Sequence, residues 1–368
     1  MPTILLLALC IVLFIQLVYY WGIFSRFSFA KPIVNGEYTL PVSVLICAKN
    51  EAENLEKNLP YILEQEYQNF QIVLINDASI DNTLKVMESF AHRDSRIKIV
   101  DVRNNEAFWG KKKYALTLGI KSAKNDLLIF TDADCRPAGK HWLKQMVGSF
   151  SNTQTIVLGF GGYQTIKHSL LNQLIRFETV LTAIQYFSYA ISGMPYMGVG
   201  RNMAYHRDEF FRVRGFMSHM HIRSGEDDLF INEAANKDNI AINFNKESFT
   251  YSTPKTTWKS WILQKQKQVS TANYYKPKHK LILALFYFSQ LAFWFLSILL
   301  FILQYNWIVI TALIGIKLFT LYIVLGYGAK KLGESKLIWL LPFYEIILVC
   351  FQLLIFIRNR FSKQVNWK

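Results

Sequence analysis

Negative charge is what this chain has least of: 26 Asp and Glu stand against 41 Lys and Arg in 368 residues, a formal net charge of +15. Cysteine is scarce as well. Cys10, Cys47, Cys135 and Cys350 are scattered without metal-ligand spacing, and two of them lie in apolar runs. That excludes a disulfide framework and fits a reducing compartment. Charge is missing altogether from Thr3 to Ile23, a run long enough to cross a hydrocarbon core of ~30 Å as a helix. No Lys or Arg precedes this run and no small-x-small cleavage site follows it, which argues against a removable secretory signal. Acids are also absent from Thr253 to Lys280, which carries seven lysines. Beside membrane segments such a stretch fits anionic lipid better than nucleic acid.

What is abundant is apolar: hydrophobic residues make up 52% of the chain and aromatics 15%, unevenly distributed. Leu281 to Leu303 and Trp307 to Tyr327 hold one charge between them, Lys317, and only Gln304-Tyr305-Asn306 separates them. They read as a tight transmembrane hairpin. Leu337 to Ile357 is a third run, interrupted by Pro342 and Glu345. The expected division is a transmembrane helix over 1–25, a soluble domain over 38–275 and a membrane region over 281–358. Arg26 and Lys31, just after the first helix, place the soluble domain in the cytoplasm by the positive-inside tendency, and the lysines of the loop Ala329 to Lys336 agree. Three further crossings would put Arg358, Arg360, Lys363 and Lys368 outside, against that tendency. The third run is therefore expected to be re-entrant or interfacial, unless the charge rule fails here. Leu170 to Ile191, amphipathic in pattern, is expected to lie along the membrane surface.

Between the membrane segments, strand and helix patterns alternate. Pro41 to Cys47, Gln71 to Ile75, Ile97 to Val100 and Asp126 to Phe130 read as short buried strands, with helical spacing at Leu55, Leu59, Ile62 and over Lys113 to Ala123. The fold class is α/β, a mostly parallel sheet with helices on both faces. Polar and acidic residues collect at the strand ends. The sharpest instance is Thr131-Asp132-Ala133-Asp134, where alternation along an extended segment aims both carboxylates the same way, able to share one hard divalent cation with a diphosphate.

Four stretches carry a resemblance: C-A-K-N-E-A-E-N-L at Cys47 to Leu55, I-N-D-A-S-I-D-N-T at Ile75 to Thr83, T-D-A-D at Thr131 to Asp134, and G-E-D-D at Gly225 to Asp228. In order and placement they resemble the signatures of family 2 glycosyltransferases with the GT-A nucleotide-sugar-binding fold, of the membrane-anchored bacterial type. The resemblance covers roughly Pro41 to Ser270. It implies an inverting hexosyltransferase that uses a nucleotide sugar, a UDP-sugar by preference, and Mg2+ or Mn2+. The acceptor is expected to be a membrane lipid or lipid-linked glycan, and the setting the bacterial inner membrane. The alternatives are a processive polysaccharide synthase of the same family and a non-catalytic membrane scaffold with a degenerate nucleotide-binding domain.

The resemblance also implies roles. Ala48, Asn50 and Glu51 fall in the nucleoside pocket, although Asn50 and Glu51 would also serve as helix caps. Asp77 matches the position that accepts a hydrogen bond from the base. Within Trp109 to Leu116, Lys112 is the better match to a donor-binding lysine, and a solvated basic turn accounts for the other two lysines. Asp134 is the firmer metal ligand, and Asp132 binds metal or contacts the ribose. Arg201 and Asn202 fall on the acceptor-side strand, where small residues such as Gly198 and Gly200 permit close backbone approach or mark a bulge. Of Glu226, Asp227 and Asp228 one is the general base: Asp227 is chosen, with Asp228 its rival. Processive members carry Q-x-x-R-W near the membrane, whereas this chain has Gln264-Lys265-Gln266-Lys267-Gln268. That removes the aromatic platform and leaves Trp258, Trp261, Gln264 and Lys267 as acceptor-side candidates.

Overall fold

The computed structural model describes residues 2–32, 39–103, 111–222 and 224–361, without the side chains of 111 and 359–361. Trp109, Gly110, Lys363 and Lys368, and the side chains of Lys111 and Arg360, lie outside what is described. The chain divides into two compact units.

The sheet unit comprises Lys31–Thr165 and Gly193–Pro254. Its seven-stranded sheet has the order β3-β2-β1-β4-β8-β6-β9. The strands are β1 (Val42–Ala48), β2 (Phe70–Asp77), β3 (Ile97–Val102), β4 (Leu127–Asp132), β6 (Ile156–Leu158), β8 (Met203–His206) and β9 (Ile240–Ile242). The central strands β1, β2 and β4 are buried on both faces, which is why each reads as an unbroken apolar run. β3, at the edge, exposes Lys98 and Asp101. All these pairings are parallel except those of β8, which runs antiparallel to β4 and β6. A second sheet joins β5 (Cys135–Pro137), β10 (Thr250–Ser252) and β7 (Gly161–Tyr163). Helices α3 (Ala52–Leu63), α4 (Thr83–Arg93), α5 (Lys111–Ser122), α6 (Trp142–Val147), α8 (Arg207–Arg212) and α9 (Asp228–Ala234) complete the unit.

Register explains why the site forms where it does. Cys47 pairs with Asp132 and Ala48 with Asn76, so β1, β2 and β4 end level with one another. Strand order reverses direction of growth at β1, the position where open α/β sheets bind ligands beyond their carboxyl ends. Because β8 is antiparallel and pairs Met203 with Phe130, the residues just before β8 sit beyond the carboxyl end of β4.

The helical unit comprises Met1–Ala30, Ile166–Ser192 and Lys255–Lys368. Four of its helical segments are long and apolar enough to cross a membrane: Pro2–Ser28, Pro277–Ile302, Trp307–Lys331 and Ser335–Arg358. The first consists of α1 (Pro2–Leu17), a π-helical stretch over Val18–Phe24 and α2 (Ser25–Ser28). It runs antiparallel to α11 (Pro277–Ile302), with Gln16 donating to the Ser289 carbonyl at 2.8 Å and the Tyr19 hydroxyl to that of Ile282 at 2.7 Å. Gln304 and Asn306 turn the chain from α11 into α12 (Trp307–Lys331) through left-handed backbone, φ 51° and 46°.

Two expectations change here. The third C-terminal run is helical throughout, passing from a 3-10 helix over Ser335–Leu340 into the continuous α13 (Leu341–Phe361). Pro342 sits in its first turn, where a missing N–H costs little. Glu345 is buried on α13 but paired, 3.2 Å from the Lys317 ammonium of α12. Its carboxylate also accepts from Tyr20 (3.1 Å), Gln290 (2.9 Å) and Trp294 (3.3 Å). The second correction concerns α7 (Leu170–Ile191), which is buried around most of its circumference and packs on α2, α12 and α13 rather than lying along a surface. Its Arg176 forms a buried bidentate pair with Glu334. The last helix of this unit, α10 (Trp258–Thr271), packs on α13.

Candidate active site

The loops after β1 and β2 are laced together. Asn50, at φ 56°, accepts through Oδ1 from the Ile80 N–H at 2.9 Å, and its own N–H donates to Ser79 Oγ at 3.0 Å. The Glu51 N–H donates to Thr83 Oγ1 at 2.8 Å. Asn50 and Glu51 therefore do not cap α3 with their side chains, since no side-chain cap bond is made there. Ala48 ends β1 fully buried. Asp77 ends β2, and its carboxylate makes no hydrogen bond to another described residue, leaving an acceptor available at the strand end.

At the end of β4 the chain does something other than extended alternation. The strand stops at Asp132, and residues 133 and 134 form a turn before β5. Asn58 holds that turn by donating to the Ala133 carbonyl at 3.0 Å. The outcome is still convergence: donor atoms of Asp132, Asp134 and Cys135 lie within 4.8 Å of one another. The Cys135 thiol donates to Asp134 Oδ1 at 3.3 Å. Burial, followed by the neighbouring carboxylates, pushes that thiol well above its ordinary pKa, so it stays protonated. Two carboxylates remain as hard oxygen ligands, which suits Mg2+ or Mn2+ and not a thiophilic metal.

Opposite them stands the acidic triplet. Gly225, at φ +94°, turns the chain into Glu226 and the start of α9. Asp227 is the N-cap of α9 and accepts from the Asp228 N–H at 2.8 Å through Oδ1. Its Oδ2 accepts from the Gly200 N–H, also at 2.8 Å. Gly200 is needed for this approach, because a Cβ there would stand 3.3 Å from Oδ2. Burial first, then the charges of Asp228 and Glu226, raise the Asp227 carboxyl to a pKa of about 7, against the two N–H donors that lower it. Asp228 is buried and turned back on its own helix, accepting from the Leu229 N–H at 2.7 Å. These positions separate the two rivals for the base in accessibility.

Lys112, in the first turn of α5, bridges the two acidic groups. Its ammonium lies 3.1 Å from Asp132 and 2.8 Å from Glu226. A narrow cleft follows, lined by Lys112, Asp132, Gly200 and Glu226 above and by Phe130, Tyr205 and other apolar side chains below, all from the sheet unit. Lys113 departs from the solvated turn expected of it. It is fully buried, with its ammonium donating to the carbonyls of His219 and Ile222. Three adjacent lysines gave no sequence signal for this; only the fold assigns them different faces.

The acceptor-side candidates divide. Arg201 donates to Ser252 Oγ at 2.7 Å and lies over the Tyr163 ring at 4.2 Å, within the field of Asp134 and Asp132. Asn202 is withdrawn from the site: fully buried, it accepts from the Trp142 indole and donates to the carbonyls of Phe160 and Ser248. Trp258, Trp261, Gln264 and Lys267 all belong to α10 in the helical unit. One face of Trp258 is stacked on Phe351, with centroids 5.2 Å apart, and Trp261 is 1% exposed. Neither has two open faces to offer a sugar.

The model of the glycosyl transferase family 2 matches residues 43–209. Those residues form a family 2 glycosyltransferase domain. The family 2 domain accounts for the observed β1 to β8 core and for the acidic turn after β4. Among relatives, 4,4'-diaponeurosporenoate glycosyltransferase of Staphylococcus haemolyticus is 32% identical over 119 residues, 32% of this chain and 31% of that protein. Poly-beta-1,6-N-acetyl-D-glucosamine synthase of Staphylococcus aureus is 33% identical over 104 residues, 28% of this chain and 24% of the synthase. The chain thus spans about a quarter to a third of these relatives' length. Among solved structures, a mannosyltransferase from Pyrobaculum calidifontis in complex with GDP-mannose and Mn2+ superposes with a TM-score of 0.65, covering 99% of this chain and 100% of that one at 18% identity. The likeness shows a shared fold.

Proposed function

We propose that this protein is an inverting, metal-dependent glycosyltransferase that moves a sugar from a nucleotide diphosphate to a hydroxyl of a membrane-associated acceptor. The observation that carries this reading is Asp227: a half-buried carboxylate, fixed by two backbone N–H groups, with a pKa raised to about 7, and set beside Glu226 and Gly200, which line one cleft with Lys112 and Asp132. A base poised near neutrality can take the acceptor proton as the hydroxyl attacks the anomeric carbon, opposite the departing diphosphate. Asp134 and Asp132 would hold the metal, which when bound neutralises charge developing on the leaving group. Lys112 adds a second positive charge on that side. Asp77 would accept the ring N–H of the base. We assign a UDP-sugar as donor; guanine could satisfy the same contact, so a GDP-sugar is the comparison to run.

The four helices long and apolar enough to cross a membrane support an acceptor held in or on the bilayer, a lipid or lipid-linked glycan. Arg26, Lys31 and the lysines before α11 support a cytoplasmic catalytic domain in a bacterial inner membrane. Gln268, where a processive enzyme would present a tryptophan, favours single transfer over polymer synthesis.

The test is nucleotide release by purified protein in detergent, across UDP- and GDP-sugars, with and without Mn2+. We expect metal-dependent release from one donor, abolished by Asp134→Ala, and labelled lipid product in washed membranes. Absence of both nucleotide binding and transfer would favour the scaffold reading. Polymer made from donor alone would favour the processive one.

A further inference from the structure

Lys113 is a fully buried cation of the sheet unit that the proposed reaction does not use. A lysine ammonium has three donors and no acceptor. Here three acceptors meet it: His219 Nδ1 at 2.8 Å, the His219 carbonyl at 2.7 Å and the Ile222 carbonyl at 3.0 Å. Because Nδ1 accepts, the neutral imidazole carries its proton on Nε2. The carbonyls belong to the loop that leads through Gly225 into Glu226 and Asp227. One residue earlier on the same helix turn, Lys112 grips Asp132 and Glu226 directly. The first turn of α5 therefore holds both the acidic triplet and the loop that delivers it.

We infer that Lys113 is a positioning residue: by satisfying the 219–222 loop from within, it fixes the height and orientation at which Asp227 meets the acceptor hydroxyl. This rests on Asp227 being the base. Its charge matters as well as its bonds. Glu226, Asp228 and Asp227 lie within its electrostatic reach, while burial pulls its pKa down to about 8, leaving it protonated at neutral pH. The groups facing Asp227 are then Asp228, Glu226 and Lys113, with Lys112 acting on Glu226. Removing the Lys113 charge should make Asp227 harder to ionise. Mere loosening of the loop would admit water and make it easier. The two roles thus have opposite signs.

The experiment measures kcat, donor KM and the pH profile of transfer for wild type, Asp227→Asn and Lys113→Met, with folding checked by thermal melting. We expect Lys113→Met to lower kcat by about 10- to 100-fold with donor KM within about twofold, and to move the acid limb to higher pH. If the variant does not fold, His219→Gln, which keeps both carbonyls and the Lys113 charge, should lower kcat by a smaller factor with donor KM unchanged and the acid limb left in place. An unchanged kcat and limb in the variant tested, beside an inactive Asp227→Asn, overturns this inference alone. A limb that moves to lower pH overturns it too, in favour of a purely structural role. An active Asp227→Asn overturns the underlying assignment of the base and this inference with it.

Discussion

The buried carboxylates of the helical unit and the acidic triplet of the sheet unit are treated in different ways. Among the described residues of the helical unit each buried acid has its own cation, Glu345 with Lys317 and Glu334 with Arg176, and the half-buried Glu178 pairs with Lys265 at 2.6 Å. In the sheet unit three acids stand in a row at Glu226, Asp227 and Asp228, and Lys112 reaches only the first. Asp227 has backbone N–H groups and like charges as its direct company, with Lys113 acting on it only at a distance. One-to-one pairing in a low-dielectric interior is how a scaffold keeps charges without leaving any unpaired. A carboxylate held without a direct ion pair, and raised in pKa, is how a site stores a base.

The largest break in this comparison is Asp227→Asn. Transfer should fall by about 10²- to 10⁴-fold, the range a general base contributes, with donor binding by calorimetry retained. In wild type the rate should rise with pH through about 7, because the carboxyl must lose its proton to act. Stability runs the other way. The unfolded carboxyl has a pKa near the model value of 3.8 and the folded one about 7, so between these the folded state binds the extra proton. Stability contributed there is lost as pH rises through that window. Asp227→Asn, which cannot ionise, should therefore melt higher than wild type at pH 8 and alike at pH 4. A variant that melts lower at pH 8 would show that Asp227 is a structural acid like those of the other unit.

Lys317→Met tests the opposite half. It leaves Glu345 buried with three neutral donors and no cation, a loss expected to cost about 3–5 kcal/mol. Adding Glu345→Gln should recover much of it, since the amide oxygen can still accept while the charge is gone. Denaturant unfolding in detergent reads both. If Lys317→Met were neutral, the pairing would not distinguish scaffold from site.

How much of this contrast the sequence shows depends on how local its cause is. The central strands were legible because a strand buried on both faces must be written in apolar residues, as Val42 to Ala48 and Leu127 to Phe130 are. Strand-end acids were legible because polar residues interrupt those runs. Partnerships across space were not. Nothing near Glu345 indicates that Lys317, on another helix, completes it, so Glu345 looked like a break in a membrane helix. Likewise Lys111, Lys112 and Lys113 are indistinguishable in the sequence, yet Lys112 bridges two acids and Lys113 is sealed beneath a loop. Asp132 and Asp134 converge through a turn pinned by Asn58, a residue without a motif of its own. The antiparallel β8, which brings Gly200 to Asp227, has the same composition as any parallel neighbour.

Gly200→Ala is the finest probe of the difference, because it alters the company Asp227 keeps and not the acid itself. The added Cβ would sit 3.3 Å from Asp227 Oδ2, close enough that the carboxylate must shift by a few tenths of an ångström. The Gly200 N–H bond of 2.8 Å would lengthen, weakening a donor that favours the ionised form. Transfer should fall by roughly 3- to 10-fold, with the acid limb moved to higher pH and donor KM unchanged. Loss through donor KM instead would assign Gly200 to the donor pocket. A base stabilised by backbone rather than by a cation should register so small a push, whereas a cation-paired scaffold acid should not.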